Sequence, residues 1–186
     1  MRDVTNGPWS GAATTIIEGS PFPWLPVVDS DEWQAAAVTL FRQLGEVATN
    51  RAPEPERTAA ELRAAVRQVD PGARLVASLA LEDHWPQQIL VEAGAPDPDA
   101  ETAVLVGAGT PDPFGPVDVS EEDGTVVAVR RDLLDDASAI VSVSAVRRSP
   151  GLDVRVTWRS TALALVDPMR SELVDLASSV HLEEQP

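Results

Sequence analysis

Residues 138–180 carry a pattern with few structural solutions: SAIVSVSAVRR, the tetrapeptide Ser149-Pro150-Gly151-Leu152, LDVRVTWRS, and a segment of helical periodicity. Leu152, Val154, Val156 and Trp158 alternate with Asp153, Arg155, Thr157 and Arg159. That is the period of a strand with one buried face. Set against Val141, Val143 and Ala145, the four apolar residues complete one face of a hairpin. Proline presets φ at the first central position of a type II turn, and glycine accepts the positive φ at the second, so Pro150-Gly151 predicts the turn itself. Asp167-Pro168 then reads as an N-cap followed by proline in the first helical position. Met169, Leu173, Leu176 and Val180 supply the apolar stripe of a closing helix. The polar tail from His181 is expected to fray.

The same two periods organise the rest. Ser30 is a candidate N-cap, with Asp31 and Glu32 in the first turn where negative charge suits the helix dipole. Trp33, Ala36, Ala37, Leu40, Phe41 and Leu44 then recur at helical spacing, which predicts a helix to about Asn50. A second helix is expected from about Glu54 to Val69, with Asp70-Pro71-Gly72 as its stop. Leu75, Ala77, Leu79 and Leu81 alternate, His84-Trp85-Pro86 marks a turn, and Ile89, Val91 and Ala93 alternate again. Two antiparallel strands follow. The run at 102–108 is apolar on both sides and reads as a mid-sheet strand; residues 124–131 read as another. The stretch between Gly94 and Gly124, rich in Asp, Glu and Pro and without arginine, reads as solvated loops. The expected fold is α+β: an antiparallel sheet of about six strands packed with two N-terminal helices and one C-terminal helix.

Residues 1–28 differ in kind. Pro8-Trp9 and Pro21-Phe22-Pro23-Trp24-Leu25-Pro26, with a short strand at 13–18 between them, favour extended or polyproline backbone. This is an arm ahead of a single domain at 29–186. Trp9, Phe22 and Trp24 either lie over the body or form an aromatic patch that meets a partner, since aromatics are enriched in interface cores.

Net charge narrows the partners. With 30 acidic and 14 basic residues the formal charge is −16, a field that repels nucleic acid and anionic membranes. No apolar run reaches the roughly 18–20 residues of a membrane span, and the first residues lack signal-peptide regions, so a cytoplasmic protein is expected. Every basic residue is arginine and there is no lysine. Such usage matches the codon bias of a GC-rich actinobacterium, or a halophile. The absence of cysteine excludes disulfides and thiol chemistry.

No catalytic or ligand-binding motif is complete in the sequence. His84 and His181 form no zinc-ligand pair. Asp97-Pro98-Asp99-Ala100-Glu101 starts like a calcium loop but has Thr102 where the loop needs glycine and Ala108 where it needs glutamate. Gly107-Ala108-Gly109 is followed by Pro111 and Pro113, which start no phosphate-binding helix. No serine sits in a nucleophile elbow, and the many carboxylates single out no glycosidase pair. No cofactor is expected. The least generic charged feature is a concentration of arginines on the final strands: Arg130, Arg131, Arg147, Arg148, Arg155 and Arg159. Alternation puts Arg155 and Arg159 on the face opposite Val156 and Trp158. That face either receives an acidic partner or a second copy, or is a solvated surface paired with Asp153 and cross-strand neighbours.

The order of a helical section, antiparallel strands and a closing hairpin plus helix resembles the Mog1/PsbP-like family, through VSVSAVRRSPGLDVRVTWRST and ALALVDPMRSELVDLASSV. The resemblance implies an α/β/α sandwich and a non-enzymatic accessory or binding protein. The leading expectation is a non-catalytic interaction module, an adaptor, chaperone or assembly component that binds a protein partner or itself. Two alternatives stand beside it: a small-molecule binder or enzyme with a pocket between sheet and helices, and an acidic inhibitor of the immunity or antitoxin kind.

Overall fold

The Pro150-Gly151 turn forms as predicted. Gly151 has φ +85°, as the second central position of a type II turn requires. The turn joins β7 (Ala139–Ser149) to β8 (Leu152–Ser160) in antiparallel register, with Val143 opposite Trp158 and Ala145 opposite Val156. The structure, a computed structural model, describes residues 15–17, 24–47, 54–81, 83–84, 86–108, 116–136 and 138–182.

The remaining elements are β1 (Thr15–Ile17), β2 (Trp24–Pro26), α1 (Asp31–Val47), α2 (Pro55–Val66), β3 (Ala73–Ser78), β4 (Gln87–Gly94), α3 (Thr102–Leu105), β5 (Asp118–Glu122), β6 (Thr125–Leu133), α4 (Val166–Ser179) and β9 (Val180–Leu182). Seven strands form one antiparallel sheet in the order β2-β3-β4-β8-β7-β6-β5, and β1 pairs separately with β9. The class is therefore α+β, as expected. None of the described helices is long and apolar enough to cross a membrane. The chain divides into two units, Ser20–Leu90 and Met1–Gly19 with Val91–Pro186, the boundary falling inside β4.

In the second of these units α4 packs against β6, β7 and β8. Its Met169, Leu173 and Leu176 are fully buried, as are Val127, Val129, Val141, Val143, Val156 and Trp158, all on one sheet face by register. Each such side chain contributes about 1.5–3 kcal/mol on leaving water. In the other unit, α1 and α2 form a helical hairpin. Phe41, Ala37, Ala59 and Leu62 pack with Leu75, Ala77 and Leu79, and Leu90 lies against them. Ser30 caps α1 as predicted, its Oγ accepting the Trp33 amide at 3.0 Å. The Trp33 indole donates to the Pro26 carbonyl at 2.7 Å. The helix entry is thereby tied to β2.

The structure departs from the expected elements in four places. The run at 102–108 is a helical turn. Val104 and Leu105 donate to the Glu101 carbonyl, and Gly107 and Ala108 donate back to Val104 and Ala103 in a Schellman closure. A short apolar run fits helix or strand equally, and the glycine at its end decides it. Second, the acidic stretch holds β5, joined to β6 by Asp123-Gly124 with φ 50° and 74°, the geometry of a two-residue type I′ hairpin. Third, α4 starts at Val166, directly after a 3₁₀ turn at Leu163–Leu165, so Asp167 is not its cap. Pro168 still lies in the first turn, where its missing amide costs nothing. Fourth, His181 lies in β9 rather than in a frayed tail.

Candidate interaction surface

On β8 the residues between the buried ones define the sheet face turned away from α4. Across β6, β7 and β8 its rows read Val126-Val146-Arg155, Ala128-Ser144-Thr157 and Arg130-Ser142-Arg159, with Arg148 opposite Asp153. Strand alternation therefore sorts the six arginines. Arg130, Arg148, Arg155 and Arg159 share this face, while Arg131 and Arg147 fall in the rows of Val141 and Val154 on the α4 side.

The four then divide by what they hold. Asp153 is only 2% exposed, and the Arg148 Nε donates to its two carboxylate oxygens at 3.1 and 3.2 Å. The same guanidinium donates to the Ala100 carbonyl at 2.7 Å and to the Asp97 carbonyl. Arg155 grips Glu92 through both Nε and Nη2, at 2.6 and 2.7 Å, and its Nη1 approaches the Leu105 carbonyl at 3.4 Å. Two arginines thus each join a carboxylate of the sheet to backbone carbonyls of residues 97–105. Beneath that segment, Leu105 and Val106 pack on Ala128 and Val146, with Val126 beside them. One half of the arginine face is covered by the chain itself.

The other half is polar and more open. Arg159 is exposed, and its Nε donates to Ser142 Oγ at 3.1 Å. Ser144 and Thr157 share a hydrogen bond at 3.2 Å, and Arg130 lies against Asp132. Arg159 is the exposed guanidinium of this face. The sequence pointed to the arginines but gave no sign of Glu92 as a partner, nor of Arg170, which reaches from α4 to Asp118, Ser120 and Glu122 on β5. These pairs join residues about 50 or more apart in sequence, where local spacing carries no information.

Among the aromatic candidates, Trp24 is half-buried in β2, opposite Ser78, and its indole nitrogen is buried with no hydrogen-bond partner among the described residues. Trp9 and Phe22 lie outside the described residues.

Elsewhere, charged groups serve the helical hairpin. The Arg67 and Arg63 guanidiniums hold the Asp29 carboxyl far below the usual aspartate range, and Arg42 lowers Glu56. Hydrogen bonds from Ser138 lower Asp136 at the β6–β7 turn. Asp31, Gln34, Ala35, Val38, Thr39 and Arg42 line a shallow open groove along α1. Among the described residues no three His, Asp or Glu gather as a metal-binding group. No family model, curated protein or solved structure matches the chain.

Proposed function

We propose that the protein is a non-catalytic interaction module of the cytoplasm, working without a cofactor, that receives a carboxylate-bearing segment of a protein partner on the open half of its arginine face. The observation that carries this reading is the division of that face. Arg148 and Arg155 are committed to the chain's own carboxylates and carbonyls, whereas Arg159 stands exposed beside Ser142, whose hydroxyl is its hydrogen-bond partner among the described residues. An exposed guanidinium on the sheet face of Ser144 and Thr157 suits the planar recognition of a carboxylate. The resemblance of the last strands and helix to Mog1/PsbP-like proteins supports an accessory role of the same kind.

The whole-protein charge of −16 opposes an acidic partner at long range. Recognition must then be made at contact rather than by steering. Added salt thins repulsion beyond a screening length of about 8 Å at physiological strength. Association is therefore expected to quicken as ionic strength rises from low values, the reverse of a steered complex.

A photo-crosslinking amino acid placed at position 157, beside Arg159 on the same sheet face, compared with one at the exposed Arg57 of α2, tests the reading in living cells. The expected outcome is a discrete adduct from position 157 alone that disappears when Arg159 is replaced by Glu. The same adducts from both positions, or none from 157, overturn it.

A further inference from the structure

We infer that residues 97–108 form a detachable strap that covers half of the arginine face and opens without unfolding the sheet beneath it. Four observations carry this. The strap's one helix, α3, is a single turn of four residues with no side-chain cap, and an isolated turn bears the full cost of helix nucleation. Its apolar anchorage is a satellite cluster of Leu105 and Val106 on Ala128 and Val146, separate from the α4 core. Val104, in the middle of the turn, is 59% exposed. Its polar anchorage comes from side chains, the Arg148 and Arg155 guanidiniums on the Asp97, Ala100 and Leu105 carbonyls, while the amides of residues 104–108 bond to carbonyls within the strap.

Segments with few buried apolar contacts and no ladder open locally at a small fraction of the global unfolding free energy. Here both latches survive opening: Arg148 keeps Asp153 and Arg155 keeps Glu92, so no buried carboxylate is stranded. Opening adds Ala128, Val146 and the released donors of Arg148 and Arg155 to the open half of the face. The strap is then an internal competitor for the same donors, offering carbonyl oxygens where a partner offers carboxylates. That consequence rests on the function proposed above; the opening does not.

Because the chain has no cysteine, single thiols report the opening cleanly. Ala128→Cys lies under the strap, and Ala145→Cys lies on the α4 face of the same sheet; the native residues are 1% and 0% exposed. With a water-soluble thiol reagent under native conditions, Ala128→Cys is expected to label at least tenfold faster than Ala145→Cys. Leu105→Ala should raise the first rate several-fold and leave the second unchanged. Arg148→Lys keeps a cation beside Asp153 while losing the two-carbonyl fork, and should do the same. Equal labelling of the two thiols, or acceleration of both together by Leu105→Ala, overturns the strap. If the strap opens as expected while position 157 captures nothing, the opening stands and the partner reading falls.

Discussion

The helical hairpin and the arginine face both use arginine against carboxylate, yet to different ends. In the hairpin, Arg63 and Arg67 converge on Asp29, and Arg63 also meets Asp31 and Gln34. The carboxyl side chains there are 42% and 93% exposed, so water screens each pair and replaces it readily when lost. On the arginine face the carboxylates come first. Asp153 and Glu92 are 3% and 19% exposed in their side chains, and the guanidinium is what makes their burial tolerable. Chemically identical cations thus act as surface ties in one place and as counter-charges in another.

That contrast breaks most sharply at Arg148. Arg148→Ala leaves Asp153 buried without a charge partner, a change that costs roughly 3–5 kcal/mol in comparable sites. The expected readout is a fall of that size in the chemical-denaturation free energy. Removing both charges with Arg148→Met and Asp153→Leu should recover most of it, because an apolar pair needs no counter-ion. A loss below about 1 kcal/mol for the single variant would place Arg148 with the surface ties.

The next effect has the opposite sign. Thr125 is fully buried on the α4 side of β6, and among the described residues its hydroxyl has no hydrogen-bond partner. An unmade hydrogen bond of this kind is a standing cost, while the methyl group packs. Thr125→Val keeps the shape and the strand preference and deletes the orphan oxygen. Thermal unfolding should therefore show a stabilised protein, by about 1 kcal/mol. Destabilisation would mean that the hydroxyl is satisfied by an ordered water and belongs with the paired polar groups.

What the sequence made legible follows the same division between local and distant causes. The Pro150-Gly151 hairpin, the Ser30 cap and the α4 stripe are written in neighbouring residues, and all three form, although Val180, expected to end the stripe, lies just past the helix in β9. Two local signals were there and were outweighed. Gly107 closes a helix rather than interrupting a strand, and Asp123-Gly124 makes a hairpin inside a stretch whose acidity reads as loop. The arginine face was legible as a set of positions because alternation is local. Its division was not. Glu92 lies 63 residues from Arg155 in sequence, and the Asp97 carbonyl lies 51 from Arg148. Backbone carbonyls have no side-chain identity by which a sequence could announce them.

A smaller effect, and one confined to low pH, belongs to Asp29. Its folded-state ionisation is pushed below that of a free aspartate by Arg67 and then Arg63. The unfolded chain consequently binds a proton there before the folded protein does. Stability from this site is complete above the ordinary aspartate pKa, near 4, and is lost as pH falls toward the depressed folded value. Asp29→Asn should therefore lower Tm modestly at pH 7 and flatten the decline between about pH 4 and pH 2. An acid limb unchanged by the substitution would show that the decline comes from other carboxylates.

Arg42 and Glu56 mark the lower end of the comparison. They link α1 to α2, and Arg42 lowers the Glu56 ionisation, yet the two side chains are 60% and 62% exposed. Two long side chains must be held in one geometry for a contact that water and salt both weaken, so the electrostatic gain and the ordering cost nearly cancel. Arg42→Gln, Glu56→Gln and the double variant should share the parent Tm within the scatter of replicate melts, at low and at high salt. A salt-sensitive loss in both single variants, absent between the single and double ones, would reveal real coupling across the helical hairpin. The ties of the hairpin would then act as a network, and exposure alone would no longer separate the two uses of arginine.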